Sequence, residues 1–421
     1  MTYESVRGMR DLLPEEIPYW TSLEGKVREV ARRFHYREIR TPLVEHTELF
    51  SHGIGEATDV VGKEMYTFPD KKGRSLTLRP EGTASVVRAY VEHGLFNREP
   101  FQKLFYVGPM FRYEKPQKGR SRQFHQCGVE AIGSLDPALD AEVVSLAWSL
   151  IASLGLSRLS LRLNSIGCAA DRATYREALR AHFAPHLSAM CPDCQRRYDE
   201  NPLRILDCKE EPCRAGIEAA PGTTEHLCPD CASHFARLER HLEALHLDYT
   251  LDPRLVRGLD YYTRTVFELV SADLGAQDAL LGGGRYDDLV ERLGGPPTPA
   301  VGFAAGMDRL ILVLQEQAST VERAAGLDLF LATTGEETAA SLALSLAQDL
   351  RRRGLSIDLD YRARSLKKQI GDAADRGASH LIVLGGTEVA ARRAKLRNLA
   401  TRIEEEVALT SEAIAERLRE R

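Results

Sequence analysis

The chain has 421 residues, 43% hydrophobic and 28% charged, with 56 basic and 61 acidic side chains and a formal net charge of −5. That length suggests two to three domains of about 150 residues each, and the composition excludes a disordered chain, a small disulfide-stapled module and a protein whose whole surface coats nucleic acid. No apolar run approaches the roughly 18 residues of a membrane span, and the charged N-terminus, MTYESVRGMRDLLPEE, lacks the apolar core of an export signal, so the expected location is the cytoplasm.

Residues 18–34 carry Leu23, Val27, Val30, Ala31 and Phe34 at helical spacing, and 36–41 then alternate up to Pro42, which predicts a helix followed by a strand. β-rich runs come next at 76–78 and 103–107. A further run at 111–113 enters the polar, basic stretch 114–122 and leaves through 124–132, the pattern of two antiparallel strands joined by a long loop. A helix over 138–154 and a strand over 159–164 follow. From 168 to 247 the composition turns helical, arginine-rich and cysteine-rich, the mark of an insertion. Strands resume at 266–270, a glycine turn at 282–284 leads into a helix at 286–293, and a strand at 301–306 precedes a helix at 307–317. Beyond a linker at 317–326 the pattern becomes βαβα, with strands at 327–332, 356–359 and 381–384 and helices at 337–353 and 366–377, then a last β segment and helix. Such alternation predicts a small α/β domain on a parallel or mixed sheet. There is no internal repeat.

Charge is unevenly distributed. From 98 to 125 seven Lys and Arg face Glu99 and Glu114, a local +5, and from 351 to 402 thirteen basic residues face five acidic ones, a local +8. Two basic stretches on an acidic chain fit phosphate-bearing partners held at defined faces. The common nucleotide signatures, GxxxxGK[ST] and GxGxxG, are missing, as is HExxH. What remains are arginines and carboxylates where strands end: Glu81 and Thr83 after the run at 76–78, and Arg112 and Glu114 before the basic loop. A glutamate beside a hydroxyl can hold an ammonium group, and an arginine on a rigid strand can grip phosphate or carboxylate with two parallel hydrogen bonds.

Six of the eight cysteines fall between 191 and 231. In a chain of this kind they point to metal or free thiols rather than disulfides. Cys191-Pro-Asp-Cys194 and Cys228-Pro-Asp-Cys231 have the spacing with which one structural Zn²⁺ is held by four thiolates, while Cys208 and Cys213 compete as ligands.

Taken together, the strand-end segments resemble class II aminoacyl-tRNA synthetases. The helix, strand and Pro42 are similar to their first motif. Arg112 with the loop and Arg120-Ser121-Arg122-Gln123-Phe124-His125-Gln126 resembles the second, and Gly302-Phe303-Ala304-Ala305-Gly306-Met307-Asp308-Arg309-Leu310 the third. Arg257-Gly258-Leu259-Asp260-Tyr261-Tyr262 and Gly282-Gly283-Gly284-Arg285-Tyr286-Asp287 resemble signatures of the histidyl-tRNA synthetases. The resemblance covers essentially the whole chain.

It implies an α+β catalytic domain on an antiparallel sheet over 1–325, with 168–247 as a helical, Cys-rich insertion, and an α/β anticodon-binding domain over 327–421. It implies an enzyme that activates L-histidine with ATP and Mg²⁺ and charges tRNA(His), as a homodimer with neither membrane nor DNA as partner. Arg112 and Arg257 would be catalytic. Histidine would be held by Glu81, Thr83, Arg112, Gln126, Glu130, Arg257, Tyr261, Tyr262 and Tyr286. ATP would meet Arg112, Glu114, Arg120, Phe124 and Arg309. Gln117, on the loop at 115–119, would contact the acceptor end of the tRNA, and the insertion would clamp its acceptor arm; a zinc there is not required for catalysis. The alternative is a non-catalytic paralogue serving as regulatory subunit of ATP phosphoribosyltransferase. Such proteins have lost parts of these motifs, whereas Arg112, Arg257 and Arg309 are all present here.

Overall fold

Trp20, Leu23, Val27 and Val30 recur every three or four residues along the helix Ile17–Arg33 and are all buried. In the computed structural model, which describes residues 3–56, 58–117, 119–156, 158–271, 279–316 and 326–419, that face lies against the large sheet. Each such side chain removed from water contributes about 1.5–3 kcal/mol. The chain divides into two compact units, Met1–Val321 and Glu322–Arg421.

Among the described residues the first unit holds eleven strands: β1 (Arg37–Glu38), β2 (Val44–His46), β3 (Tyr66–Pro69), β4 (Ser75–Leu78), β5 (Gln102–Phe111), β6 (Gln123–Ile132), β7 (Leu159–Ser165), β8 (Thr250–Leu251), β9 (Thr263–Ser271), β10 (Ala279–Arg285) and β11 (Ala300–Gly306). Eight form one sheet in the order β1-β5-β6-β11-β10-β9-β7-β8, antiparallel throughout except where the two-residue strands β1 and β8 run parallel to their neighbours. β2, β4 and β3 make a small antiparallel sheet. The helices Ile17–Arg33, Pro137–Ser153 and Met307–Glu316 share one core with the large sheet, leaving its other face to build a site. The segment 168–247 is helical, as its composition predicts, and lies between β7 and β8. Its last helix, Pro229–Ala244, joins the first core through Phe235, Leu238 and Leu242, while its earlier helices pack with Tyr261 and Tyr286 in a second.

Four local expectations are revised. Glycines 282–284 are not a turn but the middle of β10, paired with β9 and β11. A Cβ at Gly283 would stand 2.3 Å from the Gly302 carbonyl oxygen, so the glycines are there to let neighbours approach. The helix expected at 286–293 is reduced to Leu289–Arg292, because Arg285 continues the strand and is fully buried. Its guanidinium meets Asp140 of the helix Pro137–Ser153 at 2.7 and 2.9 Å and Asp287 at 3.0 Å. The strand expected at 36–41 survives only as β1, and the runs at 103–107 and 111–113 are one continuous strand ending at Phe111. The linker at 317–325 lies outside the described residues.

The second unit carries β12 (Leu329–Thr333), β13 (Ile357–Leu359), β14 (His380–Leu384), β15 (Arg393–Asn398) and β16 (Glu404–Ala408) in a mixed sheet of order β13-β12-β14-β15-β16. β12 runs parallel to β13 and β14, and the last two pairings are antiparallel. Among the described residues no helix is long and apolar enough to cross a membrane.

Candidate active site

An open cleft of ≈530 Å³ lies over β6, β9, β10 and β11. Arginines from four parts of the chain converge on it. Arg112 follows β5 directly; its Nε donates to the Pro80 carbonyl at 2.9 Å, and its guanidinium lies 5.4 Å from the centre of the Phe124 ring. Arg120 donates to Glu114 at 3.1 Å. Asp308 accepts the backbone N–H of His125 at 2.7 Å, which docks the start of the helix Met307–Glu316 on β6 and turns Arg309 into the cleft, where it donates to the Ala279 carbonyl at 2.9 Å. Burial and the like charge of Arg120 lower the pKa of Arg309. Cations crowded in this way suit a ligand with several negative charges.

Arg257 faces the cleft from a loop. It is partly buried, which disfavours its charge, but it is paired with Glu268 of β9, and its pKa is raised overall. Arg204 supports it from behind, donating to its backbone carbonyl at 3.0 Å. The guanidinium fits because residue 282 is glycine: a Cβ there would lie 2.2 Å from it. Arg257 Nε has no hydrogen-bond partner among the described residues.

Deeper in, the helix Thr83–Glu92 starts without a side-chain bond from its capping residue, and Glu81 does the work instead, accepting the N–H groups of Thr83 (2.7 Å) and Ala84 (2.8 Å). Burial raises the pKa of Glu81 against those two bonds. Thr83 Oγ1 donates to Glu130 at 2.7 Å, and Tyr286 Oη donates to the other oxygen of the same carboxyl. Glu130 is 1% exposed, and burial pushes its pKa up to about 8. Gly302 makes room for it, since a Cβ there would lie 2.2 Å from the Glu130 carboxyl oxygen. The rings of Tyr261 and Tyr262 are 4.7 Å apart, and those of Tyr261 and Tyr286 5.6 Å. Gln126 Oε1 and Tyr106 Oη are buried with no partner among the described residues. Each such orphan costs about 1–3 kcal/mol, which points to a polar ligand.

Of the residues singled out from sequence, Glu81, Thr83, Arg112, Glu114, Arg120, Phe124, Gln126, Arg257, Tyr261, Tyr262 and Arg309 line this one cleft. Glu130 and Tyr286 lie beneath it, bonded to Thr83 and to each other. Gln117 is exposed on the loop and does not line the cleft, and Lys118 beside it lies outside the described residues. Sequence reasoning missed Glu268, the lone charge in the otherwise apolar run 266–270, which was the available signal. It also missed Arg204 and Tyr106; Tyr106 sits in an apolar run and gives no signal.

The single four-thiolate set Cys191, Cys194, Cys228 and Cys231 is not assembled. The structure brings Cys191 and Cys194 to Cys208 and Cys213, and Cys228 and Cys231 to Cys168 and Asp171. The reason is that each pair caps a different helix, Pro192–Glu200 and Pro229–Ala244, and those helices belong to different cores.

Known proteins resemble this chain over nearly its whole length. The family model described as Histidyl-tRNA synthetase matches residues 8–310, and that described as Anticodon binding domain matches 328–421. The Histidine--tRNA ligase of Moorella thermoacetica is 51% identical over 406 residues, 96% of each chain. That of Caldanaerobacter subterraneus subsp. tengcongensis is 47% identical over 407 residues, 97% of each. Among solved structures, apo histidyl-tRNA synthetase of S. aureus superposes with a TM-score of 0.83 at 39% identity, over 99% of this chain and 100% of that one.

Proposed function

We propose the reaction from one premise: the chain belongs to the histidyl-tRNA synthetase family. It is a histidine–tRNA ligase, joining L-histidine to ATP as histidyl-adenylate with release of pyrophosphate, then passing the histidyl group to the 3′-terminal ribose of tRNA(His). The observation that carries the site assignment is the convergence of Arg112, Arg120, Arg257 and Arg309 on the cleft that also holds Glu81 and the orphaned Gln126.

In the first step a histidine carboxylate oxygen attacks the α-phosphorus in line, and pyrophosphate leaves as negative charge spreads over the phosphate oxygens. Preorganised cations stabilise that charge. Arg112 holds the α-phosphate and the histidine carboxylate, and Arg257 approaches from the opposite side, held ready by Glu268. Arg120 and Arg309 take the β- and γ-phosphates, and the adenine stacks on Phe124. Mg²⁺ accompanies ATP in this family; the Glu114 carboxylate, beside Arg112 and Arg120, is a hard oxygen donor that would help hold it, and the ion would supply neutralisation of phosphate charge.

The ammonium group of histidine lies against Glu81, Thr83 and Gln126. Its imidazole nitrogens pair with Glu130 and Tyr262, with Tyr261 and Tyr286 closing the pocket. An apolar side chain of similar size would leave those buried groups unpaired, a penalty that can reach about 10⁴-fold. Gln117 contacts the acceptor end of the tRNA from its exposed position, and 328–421 reads the anticodon through contacts that weaken with salt. The assembly is a homodimer built on the helix Ile17–Arg33 and β1.

Amino-acid-dependent ATP–pyrophosphate exchange with each of the twenty amino acids tests the reading. Exchange with histidine alone is the expected result. No exchange with any amino acid, in folded protein, would favour the regulatory-subunit reading, against which the intact arginine set stands.

A further inference from the structure

Four cysteines that the proposed reaction does not use meet beside the cleft. Cys191 caps the helix Pro192–Glu200, Cys194 sits in its first turn, Cys208 follows the short helix Pro202–Asp207, and Cys213 lies in the helix Glu211–Glu218. Their four sulfurs lie within 4.8 Å of one another, all are free thiols, and Cys194 and Cys213 are fully buried. Cys191 Sγ and Cys208 Sγ are 3.8 Å apart. A disulfide would need about 2.05 Å, whereas a tetrahedron of sulfurs at about 2.3 Å from a central ion has an edge of about 3.8 Å. Backbone N–H groups already point at these sulfurs, from Cys191 to Cys213 Sγ at 3.3 Å and from Glu210 to Cys208 Sγ at 3.4 Å.

We propose that Cys191, Cys194, Cys208 and Cys213 form a closed tetrathiolate zinc site. Four sulfur donors in a tetrahedron select zinc over harder divalent ions, and a site with no open position is structural rather than catalytic. The second group is weaker: its Asp171 already accepts the N–H groups of Cys168 (3.1 Å) and Cys228 (2.9 Å) as a cap.

The zinc site also bears on the reaction, and this part rests on the function proposed above. Cys208 is the residue that ends the helix Pro202–Asp207, and Arg204 of that helix donates to the Arg257 carbonyl at 3.0 Å. Asp207 and Cys208 themselves line the cleft. The ion ties this helix to Pro192–Glu200 and so makes Cys208 and Arg204 positioning residues for Arg257.

The test uses the full chain, purified in reducing buffer without chelator. Metal is measured by mass spectrometry and by release with a mercurial, and Co²⁺ is substituted to read sulfur-to-metal charge transfer. Wild type and Cys228→Ser/Cys231→Ser are expected to hold zinc and to show the tetrathiolate Co²⁺ spectrum, and Cys208→Ser/Cys213→Ser to lose both. If that variant fails to fold, Cys213→His, which keeps four ligands, is expected to retain the metal with a shifted Co²⁺ spectrum. Zinc retained by Cys208→Ser/Cys213→Ser, metal that follows Cys228 and Cys231 instead, iron in place of zinc, or zinc-free wild type after reconstitution would each overturn the site. Extraction of the zinc is expected to lower histidine-dependent exchange by about 10-fold or more, the scale for losing support behind a working group; unchanged exchange would overturn the positioning role. Zinc without exchange refutes the reaction and leaves the site standing, and exchange without zinc does the reverse.

Discussion

Gly282→Ala isolates the role of Arg257 without touching it. A methyl group at residue 282 would stand 2.2 Å from the Arg257 guanidinium, so that group must retreat by about 1.2 Å to reach the 3.4 Å of ordinary contact. The obstruction is the far end of a flexible side chain, and the strand backbone accepts alanine, so fold stability changes by less than about 1 kcal/mol. The retreat carries the guanidinium off Glu268 and away from the place where charge develops on the α-phosphate. A 1 Å misplacement of a reacting group costs about 10²-fold, or about 2.7 kcal/mol of barrier. In ATP–pyrophosphate exchange the variant is therefore expected to lose about 10²-fold in kcat, with the KM for histidine within a few-fold and a melting temperature close to wild type. Arg257→Ala should match it within a factor of a few, since both remove one transition-state contact. Wild-type kcat in Gly282→Ala, with the side chain shown to be displaced, would refute the assignment of Arg257 to the reacting phosphate.

The Glu130 carboxyl, pushed up to about 8 by burial, holds a proton in the fold at pH values where the unfolded chain, near 4.5, has lost it. Stability of the ligand-free protein should therefore be complete below about pH 4.5 on this account and fall by about 1.4 kcal/mol per pH unit between pH 5 and 8; urea denaturation of wild type and Glu130→Gln would show the slope in the first and its loss in the second. Asp140→Ala leaves the fully buried Arg285 guanidinium with Asp287 as its remaining carboxylate partner and should cost about 1.5–3 kcal/mol, the scale of a lost hydrogen bond to a charged group, seen as a drop of several degrees in thermal midpoint; an unchanged midpoint would contradict the pairing. Arg309→Met removes a charged contact to the ATP phosphates worth about 1.5–3 kcal/mol and should raise the KM for ATP by about 10-fold or more while leaving that for histidine within about threefold, a split that steady-state exchange kinetics measure directly.

Periodicity and motif chemistry carried much of this protein. The helix Ile17–Arg33, the hairpin β5–β6 around the basic loop, the helical segment 168–247 and the βαβα opening of the second unit were all legible in the chain, because each depends on residues a few positions apart meeting one shared core. Resemblance to known motifs likewise brought forward Arg112, Arg120, Arg257 and Arg309, four of the arginines that line the cleft, but neither Arg162 nor Arg254. Tertiary structure decided the rest. Glycines 282–284 look like a turn in isolation and are a strand because the Arg257 side chain, the Gly302 carbonyl and the Thr265 carbonyl occupy the space where side chains would be. Glu268 becomes the partner of Arg257 only once β9 lies beside β10. Two matching CxxC pairs suggest one site and serve two, because the helices they cap pack into different cores. Local spacing records which face of an element is buried; which elements meet across that face is settled by long-range packing, and the partners of Arg257, Glu130 and each cysteine pair come from there.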